Sequence, residues 1–241
     1  MTRAAHAATA GDELSAELLE AAAAFDGAPP ELVLAWAFER FEDRIAIATG
    51  FGVEGMALVD LACRARRRPR VFFVDTDFLF PETYALRRRV EERYGIAIER
   101  VASDLAPGAQ AERYGPELWR TDPDRCCAFR KVEPLRRHLA GLDAWVTAIR
   151  HDQTPARASA RAVEWDARWG LVKINPLVAW TRADVWAHVR AHDVPHNPLH
   201  AQGFPSIGCT HCTRAVAAGE DERAGRWAGT TKTECGLHAD R

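Results

Sequence analysis

The feature that most narrows the folds open to this chain is a repeated alternation of short apolar runs with amphipathic stretches. The runs "RIAIAT" (44–49), "RVFFVD" (70–75), "IAIERV" (96–101) and "AWVTAI" (144–149) each suit a buried strand and are too short for a helix of their own. Helical spacing fills the intervals at 55–66, 81–93 and about 124–140, the second opening on Pro81. Further helices are expected at 12–25, at 29–41 behind Pro29 and Pro30, and at 181–192. Such alternation predicts an α/β fold with a doubly wound, mostly parallel sheet. Ligands of these sheets sit beyond the carboxyl ends of the strands, so the turns after Thr49, Asp75 and Ile149 are expected to face one pocket.

Composition excludes several function classes. The net charge is −2, which sets up no global field for nucleic acid or an anionic membrane, and neither is expected as a partner. No apolar run approaches the ~20 residues of a membrane span. The alanine-rich N-terminus carries four carboxylates by Glu20 and lacks the basic start of a signal peptide. A cytoplasmic protein with reduced thiols is therefore expected, and its six cysteines read as ligands or nucleophiles, not staples. Lysine is scarce, three against 29 arginines, yet Lys131 and Lys232 each lie within four residues of a cysteine. A cation beside each thiolate is the functional reading of that spacing.

The loop "GFGVEG" (50–55) matches G-x-G-x-x-G between a strand and a helix, with Asp75 ending the next strand. Together these form a dinucleotide fingerprint. The glycines support only its general part, backbone N–H groups opened to a phosphate at a helix N-terminus. A nicotinamide cofactor would leave the downstream cysteines without a purpose.

Those cysteines form two tight pairs, Cys126–Cys127 in "DRCCAFRKVE" and Cys209–Cys212 in "GCTHC", with 81 residues between them. Adjacent cysteines make a poor disulfide with each other, because the small ring distorts the intervening peptide. Four thiolates suit Cys₄ zinc or a [4Fe–4S] cluster. Neighbouring residues are easier to place on separate corners of a cubane than on one zinc ion, which favours the cluster. Cys235 differs, lying in "GTTKTECGLHADR" between glycines and near Lys232 and His238, as a candidate nucleophile. Cys63 follows helical apolar spacing and reads as a core residue.

Taken together, "ATGFGVEGMALVDLA", "FVDTDFLFPET", "CCAFRKVEPL", "TAIRHDQTPARA", "KINPL", "NPLHAQGFPSIGCTHCT", "EDERAGRW" and "KTECGLH" resemble the assimilatory adenylyl-sulfate (APS) reductases, within the APS/PAPS reductase family, over about residues 30–238. The resemblance implies an adenine nucleotide α-hydrolase-like (PP-loop) fold and a [4Fe–4S] cluster on Cys126, Cys127, Cys209 and Cys212. It implies Cys235 as the catalytic residue on a mobile C-terminal tail. Substrate contacts are implied at the loop of Gly50, Phe51 and Gly52 and at Lys131, Arg223, Arg226 and His238; Arg150, just past a strand end, joins them as a candidate. The implied reaction is reduction of adenylyl sulfate to sulfite and AMP by reduced thioredoxin or a glutaredoxin-like reductant, through an S-sulfonated cysteine. The division expected is an N-terminal extension and helix (1–28), a nucleotide-binding α/β domain with the iron–sulfur site (29–215), and an arginine-containing segment with the catalytic tail (216–241). Where the family usually has serine and often an acidic residue, this chain has Gly50 and Gly55, so a hydroxyl contact to substrate is absent. The alternatives are PAPS reductase or dual APS/PAPS use, an ATP-dependent PP-loop tRNA sulfur transferase, and a Cys₄ zinc interaction module. A homo-oligomer is left open.

Overall fold

Alternating side chains decide how the layers stack. In the computed structural model, which describes residues 16–230, 232 and 234–237, β1 (Ile45–Ala48) and β2 (Val71–Asp75) lie side by side and parallel. Ile45, Ile47, Val71 and Phe73 point to one face of the sheet, and Ala46 and Phe72 to the other. The first face is covered by helix α1 over residues 16–24, α2 (Pro30–Phe41), α3 (Val53–Ala65), α4 (Pro81–Tyr94) and α9 (Arg182–Ala191), through side chains such as Leu34, Leu58, Leu86 and Val185. The second is covered by α8 (Glu133–Leu139) through Leu135 and Leu139. A sheet buried on both faces explains why the strand segments read as continuous apolar runs.

The sheet has six strands in the order β3-β2-β1-β4-β6-β5. β3 (Ile98–Ala102), β4 (Ala144–Val146) and β6 (Leu171–Ile174) are parallel to their neighbours, and β5 (Val163–Asp166) pairs antiparallel with β6 at the edge. The β5–β6 hairpin is absent from the strands expected from sequence. Each of its strands is four residues long, and β5 carries Glu164, Asp166 and a half-exposed Trp165, so no apolar run marks it. The order reverses between β1 and β4, which makes the crevice above those two strands the topological switch point.

The helix expected at about 124–140 is broken into three pieces. Helix α7 (Pro123–Cys127) passes into a π-helical turn (Ala128–Val132) and then into α8. Pro134 has no N–H to return to Arg130, and the N–H of Glu133 bonds instead to the carbonyl of Ala128, five residues back. Arg130 and Lys131 ride on that widened turn, both buried. Two shorter helices, α5 (Pro107–Tyr114) and α6 (Leu118–Thr121), precede it.

Candidate active site

A cavity of about 280 Å³ opens at the switch point. Thr49, Gly50 and Gly52 line it after β1, Thr76 after β2, and Thr147, Ala148 and Ile149 after β4, so the three strand-end turns do meet in one place. Gly52 caps α3 without a side-chain bond, leaving first-turn N–H groups at the cavity. Phe51 takes a left-handed backbone (φ 59°). That turn is held by its N–H donating to Thr49 Oγ1 at 3.1 Å and by its ring, buried edge-on to Phe73 at 5.3 Å. Phe51 therefore shapes the loop from the core side and does not itself line the cavity.

The two unusual glycines differ physically. A Cβ at Gly50 would meet nothing within 4 Å, whereas one at Gly55 would come 2.7 Å from Thr49 Oγ1. Gly55 is thus matched to the threonine that anchors the loop. Asp75, the acid of the dinucleotide fingerprint, is consumed by the Tyr84 hydroxyl at 2.7 Å, the Arg100 guanidinium at 2.5 Å and the Asp77 N–H at 2.9 Å.

Cations dominate the remaining wall. Lys131, Arg157, Arg223 and Arg226 line the cavity along with Glu54, Glu222 and Glu234. The first two carboxylates are paired with cations outside the lining, Glu54 accepting from Arg150 Nη2 at 3.1 Å and Glu222 from Arg182. Arg150 is fully buried, is also paired with Asp152, and lies behind the lining. Arg226 donates to Ser206 Oγ at 3.1 Å and stacks 4.5 Å over Trp227, with its Nε buried and without a partner. No carboxylate among the described residues pairs with Lys131 or Arg226. Burial pulls the Arg226 and Arg157 pKa values below the ordinary guanidinium range. Burial pulls Lys131 down too, but the sulfurs of Cys209, Cys235 and Cys127 outweigh it and hold the ammonium above its usual value.

Lys131 also lines a second, smaller cavity, which contains Cys126, Cys127, Cys209 and Cys212 with Phe78, Trp119, Arg130 and His211. The first three cysteines are buried, all four are free thiols, and Thr76 Oγ1 lies 3.2 Å from Cys209 Sγ. Burial, then the neighbouring sulfurs, pushes Cys126 up to about 12 and Cys212 up to about 11. Such a cage ionises only when a cationic centre takes up its charge. Arg130, in the same lining, is held by Gln110 at 2.7 Å and Asp77 at 2.8 Å, yet its Nη2 is buried without a partner. Cys63, by contrast, packs partly buried against the main core, and burial raises it to about 12.

The C-terminal segment folds back over the first cavity. Lys232 pairs with Asp124 on α7, Glu234 meets Arg157 and Arg223, and the carbonyl of Leu237 accepts from Trp169 Nε1 at 3.3 Å. Cys235, partly exposed, thereby lines the cavity with Gly50, Gly52, Lys131, Arg223 and Arg226. His238 lies outside the described residues.

Residues 44–215 match the profile of the phosphoadenosine phosphosulfate reductase domain. The chain belongs to that family. Its relatives include an adenosine 5'-phosphosulfate reductase of Shouchella clausii, 48% identical over 86% of this chain and 86% of the relative. A phosphoadenosine 5'-phosphosulfate reductase of Gloeobacter violaceus is 47% identical over 87% of this chain and 88% of its own length. Among solved structures, the phosphoadenylyl-sulfate reductase of Candida auris, in a phosphate complex, superposes with a TM-score of 0.68 at 31% identity, over 77% of this chain and 90% of that one. This member of the reductase family has the expected α/β, PP-loop-like sheet. Among its described residues no helix is long and apolar enough to cross a membrane.

Arg157 and Glu234 are charged cavity residues of this reductase-family chain that the sequence reading did not single out, as are Glu54 and Glu222. Arg157 stands on a short 3₁₀ turn behind Pro155 in "HDQTPARA", a segment already singled out, but one arginine among 29 carries no mark of its own. Glu234 was legible only as the residue before Cys235.

Proposed function

We propose that this chain reduces adenylyl sulfate to sulfite and AMP, with Cys235 as nucleophile and a dithiol protein of the thioredoxin or glutaredoxin class as reductant, in a reducing compartment such as the cytoplasm. One observation carries the reading: Cys235 shares a cavity at the switch point with a glycine loop and with Lys131, Arg223 and Arg226. A thiol, a phosphate loop and several cations in one small space suit attack on an anionic sulfonucleotide.

The chemistry balances without another redox agent. The Cys235 thiolate attacks the sulfur of the phosphosulfate, an S–S bond forms, and the bond from sulfur to the bridging oxygen breaks. AMP leaves with that electron pair, and Lys131 and the arginines offset the charge that grows on its phosphate. The reductant's first thiolate then attacks Cys235 Sγ, sulfite departs, and its second thiol resolves the mixed disulfide. The dithiol supplies both electrons. Cys235 has to leave the cavity for this second half.

The residues of the second cavity fit a [4Fe–4S] cluster. Four thiols, the threonine hydroxyl on Cys209 and the unpartnered Arg130 Nη2 suit a sulfur-rich anionic body. When bound, the cluster would supply a cross-link between α7 and the 209–212 turn and a fixed charge beside Lys131.

Intact mass of anaerobically purified protein mixed with adenylyl sulfate, and separately with its 3′-phosphorylated form, tests the reading. A sulfonate adduct on Cys235 that forms preferentially with adenylyl sulfate is expected. An adduct only with the 3′-phosphorylated nucleotide transfers the assignment to the activity named for the Gloeobacter relative. No adduct with either refutes the nucleophile.

A further inference from the structure

The cavity contains an anion of its own. Glu234 Oε2 lies 3.1 Å from Arg223 Nη2, and both of its carboxylate oxygens approach Arg157 Nη2, at 3.3 and 3.4 Å. Glu54 and Glu222 line the same space but are neutralised by Arg150 and Arg182, which do not. Glu234 is therefore the carboxylate that draws directly on the cavity's own cations. Arg157 is buried, its Nη1 donates to Gln153 Oε1 at 2.5 Å, and its Nε has no partner, so a guanidinium there needs a counter-anion whether or not a substrate is present.

We propose that Glu234 is a stand-in for the substrate's anionic group: it occupies Arg157 and Arg223 until the phosphosulfate takes them, so substrate entry and release of this tail clamp are a single exchange. The inference rests on the sulfonucleotide reading of the cavity. A carboxylate and a phosphosulfate oxygen make the same charge-assisted contacts to a guanidinium, so the two compete for one pair of donors. Losing the Glu234 clamp does not detach the tail, because Lys232 stays on Asp124 and Leu237 on Trp169. The exchange gives Cys235, the next residue, freedom to approach the sulfur while two anchors keep it near. When AMP leaves, the buried Arg157 again needs a counter-anion and Glu234 returns to it. A site without this resident anion would hold the buried Arg157 guanidinium uncompensated in its resting state; a site with it trades substrate affinity for that compensation.

The test uses anaerobically purified full-length Cys235→Ser protein, in which adenylyl sulfate binds without turnover, with and without Glu234→Gln. Calorimetry reads affinity, and amide hydrogen exchange reads the C-terminal peptide. Competition predicts that Glu234→Gln tightens adenylyl sulfate about ten-fold, a typical coupling between linked events. It also predicts that, with Glu234 kept, adenylyl sulfate speeds exchange in the C-terminal peptide, and that in the Glu234→Gln protein exchange is fast before ligand is added. Unchanged or weaker binding overturns the proposal, since Glu234 would then be only a support for Cys235. Tighter binding with no ligand-induced change in exchange also overturns it, because removal of a negative charge would then act through the field alone. No binding in either protein, with the iron content and fold intact, is a different result: it refutes the sulfonucleotide reading, and the inference falls with it.

Discussion

A methyl group added at Gly208 tests the cation site without touching a charge. A Cβ there would stand 2.6 Å from Arg226 Cζ, nearer than real Cβ atoms come, and 3.1 Å from its Nε, tighter than most Cβ contacts. Retreat is restricted, since the guanidinium is stacked 4.5 Å over Trp227 and tied to Ser206 Oγ at 3.1 Å. Gly208→Ala should therefore push Arg226 off its mark toward the substrate's anionic group. One hydrogen bond to a charged group is worth about 1.5–3 kcal/mol. Its loss corresponds to about 10- to 150-fold in kcat/KM at ~1.4 kcal/mol per decade. The assay is a double-mutant cycle with Arg226→Ala, following sulfite release under anaerobic conditions and checking the visible absorbance expected of the proposed cluster in each variant. Because Gly208 precedes Cys209, the absorbance separates loss of the centre from loss of the cation. If the reasoning holds, Gly208→Ala costs little more once Arg226 is gone. An equal loss in both backgrounds, or a single-mutant change below about two-fold, refutes it.

Two further outcomes follow from the same geometry. Lys131→Ala, which removes the cation shared by both cavities, should lower turnover by about ten-fold or more while the absorbance expected of the proposed cluster stays intact, and unchanged steady-state rates would sink its role. Away from the site, His188 is pushed below its usual pKa by burial, against the pull of Asp60 at 2.9 Å. The unfolded chain then binds the proton first, so stability should fall as pH drops below about 6.5. His188→Gln should flatten that slope in urea titrations between about pH 6.5 and 5, and an unaltered slope would exclude His188 as its source.

The amino-acid order alone carried the reading to the fold class and to the cysteines. Apolar runs such as "RVFFVD" announce strands buried on both faces, and glycines and prolines mark the turns between them. The side-by-side Cys126 and Cys127 were also legible, because thiols in that spacing have few uses and each limits metal choice by simple geometry. Pro134 could have warned of the broken helix, since proline cannot donate the interior hydrogen bond. The edge hairpin of β5 and β6 could not be read this way, because an edge strand needs no apolar run and its pairing supplies what its sequence lacks.

Charged residues were legible only where a motif singled them out. Arg150 and Arg157 are seven positions apart in one loop and look alike in sequence, yet the first turns to Glu54 and Asp152 behind the cavity and the second lines it. An arginine's role depends on which acid it meets, and Glu54 and Glu234, which separate these two, lie far apart in the chain. Local sequence determined the strands, the turns and the thiols, whose physics acts over a few residues. The pairing of charges across the switch point was decided by the tertiary structure, because Coulomb energy depends on separation in space and on burial, and neither is written in the order of residues.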